Sequence, residues 1–206
     1  MAIIQPRIYL ASQSPRRREL LKQIGISFEM LLLRSDPRRM VEVDETPLPG
    51  EAPDAYVQRI CEEKARVAWD ALLFRNLPPY PILAADTTVT LDNKIFGKPR
   101  DREDAAAILR ELSGRQHQVL SAVVARFEER IELRLSSTTV TFVTLDEDRI
   151  RRYVMTNEGH DKAGAYAIQG QAGAFVQRIE GSYSGVMGLP LCETVEVLRS
   201  FGQTTP

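Results

Sequence analysis

Apolar positions along the chain switch repeatedly between a period near two and a period near three and a half, the pattern of strands interleaved with helices. Arg7 to Ala11 reads as a short strand, after which Ser12-Gln13-Ser14-Pro15 opens a helix running to about Ile24. Ser14 suits its N-cap, Pro15 its first turn and Gly25 its end. Phe28 to Leu33 reads as a second strand, and Arg34 to Pro53, with five prolines or glycines among charges, as a loop expected to be mobile. Asp54 to Phe74 predicts a long helix with Val57, Ile60, Cys61, Ala68, Ala71 and Leu72 on its apolar stripe. A strand from Ile82 to Leu91 follows, then a hairpin turn at Asp92-Asn93. Asp101 to Leu112 and Asp146 to Met155 read as helices, flanking strands at Val119 to Phe127 and Ile131 to Val143. Gly159 to Gly188 reads as glycine-rich and irregular, and Leu191 to Phe201 as a last helix.

This alternation predicts an α/β class, and 206 residues at 43% hydrophobic content suit one domain with a core that needs no metal or disulfide. Cys61 and Cys192 are far apart and lack metal-ligand spacing, which predicts a reducing compartment. The chain shows no signal peptide and no apolar run of about 20 residues, so a cytosolic protein without a membrane partner is expected. A formal net charge of −1 offers no basic field for nucleic acid, which is not an expected partner.

Five places could carry chemistry. Ser12, Ser14, Arg16 and Arg17 cluster where a helix begins, and a helix N-terminus with arginines suits phosphate oxygens. The plain alternative is a capped surface helix, although arginines there oppose the helix dipole. Asp86 ends the apolar run Ile82-Leu83-Ala84-Ala85, so its carboxylate is either a Mg²⁺ ligand or base, or a cap for a neighbouring loop. Gly97-Lys98-Pro99 presents one lysine on a rigid turn, a phosphate contact or an ordinary surface turn. Lys64 falls on the apolar stripe of its helix, where it either pairs with Glu45 or Asp44 or joins a phosphate site. Gln169 stands among small residues, an amide placed to read a base edge or simply part of a packed turn. Tyr183 and Phe175 read as core residues, and His117 and His160 form no metal motif.

In order along the chain, Leu-Ala-Ser-Gln-Ser-Pro-Arg-Arg-Arg-Glu-Leu-Leu, Ala-Asp-Thr, Gly-Lys-Pro and Leu-Ser-Gly-Arg-Gln-His occur. Asp161-Lys162-Ala163-Gly164-Ala165-Tyr166, Ile179-Glu180-Gly181-Ser182-Tyr183 and Val186-Met187-Gly188-Leu189-Pro190-Leu191 complete the series. Together they resemble the Maf family of nucleoside triphosphate pyrophosphatases over nearly the whole chain. The resemblance implies a single Maf-like domain over residues 1–206, a mixed sheet in two lobes around a central nucleotide-binding cleft, related to the inosine triphosphatase fold, and a homodimer. It implies hydrolysis of nucleoside triphosphates to monophosphate and pyrophosphate, a nucleotide-pool sanitising activity dependent on Mg²⁺ or Mn²⁺. The family's catalytic aspartate falls on Asp86, its phosphate-binding and supporting positions on Ser12, Arg16, Arg17, Lys64 and Lys98, and an acidic loop residue on Glu45. Asp86 and Glu45 are then the metal ligands, and Arg16, Thr87 and Gln169 the specificity positions. Ile168-Gln169-Gly170 is similar to the subfamily acting on dTTP, UTP and modified pyrimidine nucleotides rather than on 7-methyl-GTP. A nucleotide-binding regulator of cell division or septum formation is the rival reading. Two expectations sit awkwardly with the pattern: strand alternation sends Thr87 and Asp86 to opposite faces, and Arg34 to Met40 looks long for this loop.

Overall fold

The computed structural model describes residues 7–32 and 43–203. The awkwardly long stretch Arg34 to Met40, with residues 33, 41 and 42 beside it, lies outside these residues. The elements run β1 (Tyr9–Leu10), α1 (Pro15–Gln23), β2 (Glu29–Met30), α2 (Pro53–Phe74), β3 (Ile82–Leu91), β4 (Lys94–Phe96) and α3 (Arg102–Leu112). They continue with β5 (Gln116–Phe127), β6 (Arg130–Phe142), α4 (Glu147–Met155), β7 (Val176–Glu180), α5 (Tyr183–Met187) and α6 (Leu191–Ser200). Single 3₁₀ segments lie at Ala163–Ala165 and Gln171–Phe175.

Local chemistry explains the boundaries. Asp101 and Asp146 cap α3 and α4, accepting from the N–H groups of Asp104 at 2.8 Å and Arg149 at 2.7 Å. Asp92 and Asn93 both adopt positive φ, 52° and 63°, the backbone of the tight turn that joins β3 to β4. At α1, Ser14 occupies the N-cap position, but its hydroxyl makes no capping bond. Instead the Ser12 hydroxyl accepts the Ser14 N–H at 3.2 Å, which holds the turn before the helix.

Two expectations are corrected. Gly159 to Gly188 is not wholly irregular: β7 pairs antiparallel with β6, offset by a register shift at Thr141/Phe142. Tyr183 is about half exposed on α5 rather than in the core, whereas Phe175 is buried.

The strands form one mixed sheet in the order β2-β1-β3-β5-β6-β7, with β4 pairing β3. β1 runs parallel to both neighbours, and the other pairings are antiparallel. Both β1 and β4 lie on the edge of β3 opposite β5, and they do not meet. Following β3, pairing with β1 stops where Leu83 meets Leu10, and pairing with β4 begins where Val89 meets Phe96, the last residue of β4. Between them, Ala84 to Thr88 pair, among the described residues, only with β5. The sheet is therefore notched, and the notch divides the molecule. On one side of it, α2 packs on one sheet face with Ile82, Ala84, Leu120 and Ala122, and α1 and α6 pack on the other with Leu83, Ala85, Val123 and Ala125. On the other side, Val89, Leu91 and Phe96 join α3, α4 and the 165–175 segment in a third core.

His117 belongs to this third core. It is 2% exposed, stacked edge-on against Phe142 and Tyr166, and its Nε2 lies 2.9 Å from the Tyr166 hydroxyl. Burial pushes its pKa down to about 4, below the ordinary 6.5. A histidine depressed in the folded state stabilises fully above its unfolded pKa, and that contribution is lost as pH falls from about 6.5 to about 4. The window spans about 3 kcal/mol at about 1.4 kcal/mol per unit. Melting temperature is thus expected to drop over this range, and His117→Gln, which cannot titrate, should flatten the drop; an equally steep fall in the variant would place the acid lability elsewhere.

Candidate active site

A cleft of about 690 Å³ opens at the notch. All of Ser12, Ser14, Arg16, Arg17, Glu45, Lys64, Asp86, Thr87, Lys98 and Gln169 line it. Residues scattered over more than 150 positions are thus brought to one concavity, which five basic side chains against three carboxylates make attractive to a polyanion.

Its floor is β3. Asp86, 8% exposed, follows Ile82 and Ala84 on the face covered by α2. α2 supplies Lys64, whose ammonium lies 2.5 Å from Asp86 Oδ1 and 2.7 Å from Glu45 Oε1. Of the two partners read from the sequence, Glu45 meets Lys64, while Asp44 instead accepts the Thr46 N–H at 2.9 Å. The Glu45 backbone is anchored by α2, its carbonyl accepting from the Tyr56 hydroxyl at 2.9 Å. Lys98 approaches the second Glu45 oxygen at 3.8 Å and is well exposed. Burial works to lower the Lys64 pKa, but Asp86 and Glu45 outweigh it and hold the ammonium above its ordinary value. For Glu45 burial works upward, and Lys64, with help from Lys98 and Arg17, overcomes it and keeps the carboxylate below the usual range. Lys64 is a fixed cation between two carboxylates, and Asp86 Oδ2 has no hydrogen-bond partner among the described residues.

The α1 side presents the two arginines. Arg17 donates from Nε to the Gly188 carbonyl at 2.6 Å, from one terminal nitrogen to Ser12 Oγ at 3.3 Å, and from the other toward Thr87 Oγ1 at 3.5 Å. Arg16 donates to the Met187 carbonyl at 3.1 Å. Burial lowers both guanidinium pKa values, but a guanidinium stays charged in proteins. Among the described residues Arg17 has only neutral oxygens as hydrogen-bond partners, a positive charge held without a paired carboxylate.

The notch resolves the conflict between Asp86 and Thr87. They do point to opposite faces of β3: Asp86 toward α2, Thr87 toward Ser121 and Arg17. Because the strand has no neighbour on that edge among the described residues, both faces open into the same cleft. Alternation along the strand also aims the peptide groups of Ala85 and Thr87 at the gap, continuing the direction of the Leu83 carbonyl that accepts from Ala11 N–H at 2.9 Å.

The far wall comes from the third core. Gly164, at φ +72°, sits so close to Val89 that a Cβ would lie 2.7 Å from its methyl, and its N–H donates to the Gly97 carbonyl at 3.2 Å. That contact ties the Lys98 turn to the 163–165 segment. The Gln169 turn is held from behind by Glu158, whose carboxylate accepts the Gln171 N–H at 3.0 Å and the Ala172 N–H at 3.4 Å. Asp161 and Lys162, an ion pair, also line the cleft. Neither stood out as a candidate in the sequence, although Lys162 is one of only five lysines. Tyr56 also lines the cleft, while Ser121 and Glu158 lie behind the lining side chains, and no local pattern marks any of the three.

A family model described as "Maf-like protein" matches residues 7–201. The chain belongs to the Maf family. Its Maf relatives include proteins named "dTTP/UTP pyrophosphatase" from Aromatoleum aromaticum, 54% identical over 98% of both chains, and from Nitrosomonas europaea, 54% identical over 95% of this chain and 94% of that one. A third of that name, from Chromobacterium violaceum, is 47% identical over the full length of both. The solved structure titled "The structure of the Staphylococcus aureus Ham1 protein" aligns with 95% of this Maf chain and 97% of that chain, at 13% identity and a TM-score of 0.48.

Proposed function

We propose that this Maf protein hydrolyses dTTP and UTP, and modified pyrimidine triphosphates of the same shape, to the monophosphate and pyrophosphate. The observation that carries the reading is the Asp86–Lys64–Glu45 group at the floor of a notch whose rim holds Arg16, Arg17 and Lys98. The names borne by full-length relatives at 47–54% identity support the substrate class.

In this reading the arginines and Lys98 take phosphate oxygens, with Ser12 and the N–H groups at the start of α1 as short donors. Asp86 accepts a proton from the water that attacks the α-phosphorus; the bond to the bridging oxygen breaks and pyrophosphate leaves. Lys64 orients Asp86 through its contact at 2.5 Å, and its charge offsets that building on the phosphoryl oxygens. Asp86 and Glu45 fit a divalent cation in donor chemistry: two hard carboxylates suit Mg²⁺ or Mn²⁺ when substrate phosphates complete the shell. Among the described residues no group of three or more His, Cys, Asp or Glu forms an all-protein metal cage, which agrees with that shared arrangement. A bound cation would supply charge neutralisation at the phosphates. Gln169 and Thr87 sort the base, and a cytosolic homodimer belongs to the same reading.

Pyrophosphate release from a panel of nucleoside triphosphates, with Mg²⁺, Mn²⁺ or chelator, tests it. Release chiefly from dTTP and UTP, abolished by chelator, is expected. Preference for 7-methyl-GTP would overturn the substrate class, and saturable binding with no release would favour the regulator of division.

A further inference from the structure

The chain from Ala167 to Gly170 makes one tight turn, closed where the Gly170 N–H donates to the Ala167 carbonyl at 3.0 Å. Its two corner residues go opposite ways: Ile168 is buried in the third core, and Gln169 is exposed in the cleft. Among the described residues the Gln169 amide has no hydrogen-bond partner. The direction from which it enters the cleft is therefore set by the backbone of the turn.

That backbone is pinned on both flanks by α4 and the residues just after it. Before the turn, the Ala167 N–H donates to the Tyr153 hydroxyl at 3.2 Å. Burial first, and then the nearby Glu158 charge, push the Tyr153 pKa up, so the phenol stays protonated. After the turn, Glu158 presents both carboxylate oxygens: Oε2 accepts the Gln171 N–H at 3.0 Å, and Oε1 the Ala172 N–H at 3.4 Å. These N–H groups open the 3₁₀ segment Gln171–Phe175, whose N-cap residue, Gly170, has no side chain to cap them. Glu158 is itself held, its N–H donating to Thr156 Oγ1 at 3.2 Å and that hydroxyl donating to the Tyr153 carbonyl at 2.7 Å. The fit is close. A Cβ at Gly170 would lie 2.4 Å from the carboxylate carbon and from both its oxygens. The backbone at Gly170, φ −107°, is open to any residue, so the glycine answers to the carboxylate and not to the turn. Two N–H groups facing one side chain also require two acceptors. A carboxylate offers both; the amide of a glutamine would set a donor against a donor.

We propose that Glu158 is a positioning residue for nucleotide recognition: it fixes the turn so that the Gln169 amide enters the cleft where the nucleotide meets it. Glu158 stands behind the turn and does not touch substrate. This role rests on the proposed pyrophosphatase activity and on the contact of Gln169 with the nucleotide within it. It adds that the recognising side chain is preorganised by a carboxylate outside the cleft, three residues beyond α4.

The test measures kcat and KM for dTTP in the full-length protein, in Glu158→Gln, Gly170→Ala and Gln169→Ala, and in each of the first two combined with Gln169→Ala. Every variant is checked for a native melt. Glu158→Gln removes one of the two acceptors. Gly170→Ala keeps every donor and acceptor but pushes the carboxylate, the free end of a flexible side chain, off the turn. Both should raise KM about tenfold, the worth of one net hydrogen bond. kcat should stay within about twofold, because the Asp86–Lys64 floor is untouched. In the Gln169→Ala background the same two changes should shift KM by less than about twofold, since the residue they act through is gone. Equal losses of kcat/KM with and without Gln169 would make Glu158 a support of the fold alone and overturn the role. So would an unchanged KM in both Glu158→Gln and Gly170→Ala, or in Gln169→Ala itself. Each of these results leaves the activity standing; a wild-type protein that releases pyrophosphate from no nucleotide removes the activity and the role together.

Discussion

Asp86→Asn is expected to lower turnover of dTTP and UTP about a thousandfold, the middle of the range for a lost general base, with little change in the melt. The substitution keeps size and position on a strand packed on both faces. An amide cannot take the proton of the attacking water, yet it can still accept a hydrogen bond from Lys64. The Lys64 ammonium also retains Glu45 at 2.7 Å, so no unpaired charge is left in the floor of the cleft. Substrate affinity should change much less than turnover, because the phosphate-binding cations are untouched. Single-turnover kinetics with dTTP, beside equilibrium binding of a non-hydrolysable analogue, separates the two quantities. A variant that still turns over at a tenth of the wild-type rate would remove Asp86 from the role of base and point to water activation by another group.

Lys64→Met tests the other half of the floor and should lower kcat/KM about 10²–10³-fold, the usual loss for one transition-state donor. Methionine keeps most of the aliphatic stem and so preserves packing on α2. It removes what is, among the described residues, the one cation within 2.7 Å of both carboxylates. Without it Asp86 and Glu45 repel each other, and Glu45 is no longer held below its ordinary range. Glu45 is depressed in the native protein, so its ionised form stabilises above the unfolded pKa and that contribution fades as pH falls through the folded one. In Lys64→Met this protection is absent, and the acid limb of the rate profile should move to higher pH. Lys64→Arg, which restores a cation, should recover part of the activity and bring the limb back. A profile of unchanged shape in Lys64→Met would mean that the ammonium serves substrate binding alone.

The long periodic elements were legible in the sequence because their own side chains set them. The strand from Ile82 to Leu91 and the turn at Asp92-Asn93 appear as expected, since a continuous apolar run and two residues tolerant of positive φ leave few alternatives. Helix starts at Asp101 and Asp146 are marked by side chains that cap them. β7 was not legible: Val176–Glu180 has two charged residues in five and becomes a strand only because the edge of β6 is there to pair with. The same holds for the 163–175 segment, whose turns are fixed by close packing on Val89 and by the Glu158 carboxylate rather than by local propensity. The candidate residues were all visible as motifs, but the geometry that lets Asp86 and Thr87 share a cleft was not. That geometry depends on where β1 ends and β4 begins along a third strand, a fact about pairing partners that no window of sequence contains.

The notch also governs which parts of this protein are open to change. Ala84 and Ala85, both fully buried, pack on opposite faces of the floor strand immediately before Asp86. A larger side chain at either would overfill a close-packed interior and shift the carboxylate along with the strand. The Gln169 turn lies at the surface of a different core and contacts the floor only across the cleft. A substitution there can reshape what the cleft accepts without passing strain to the reacting centre. Tolerance to mutation is therefore divided by the same line that divides the sheet: the chemistry, with the part of base selection assigned to Thr87, is bound to the fold, and the part assigned to Gln169 is free to drift.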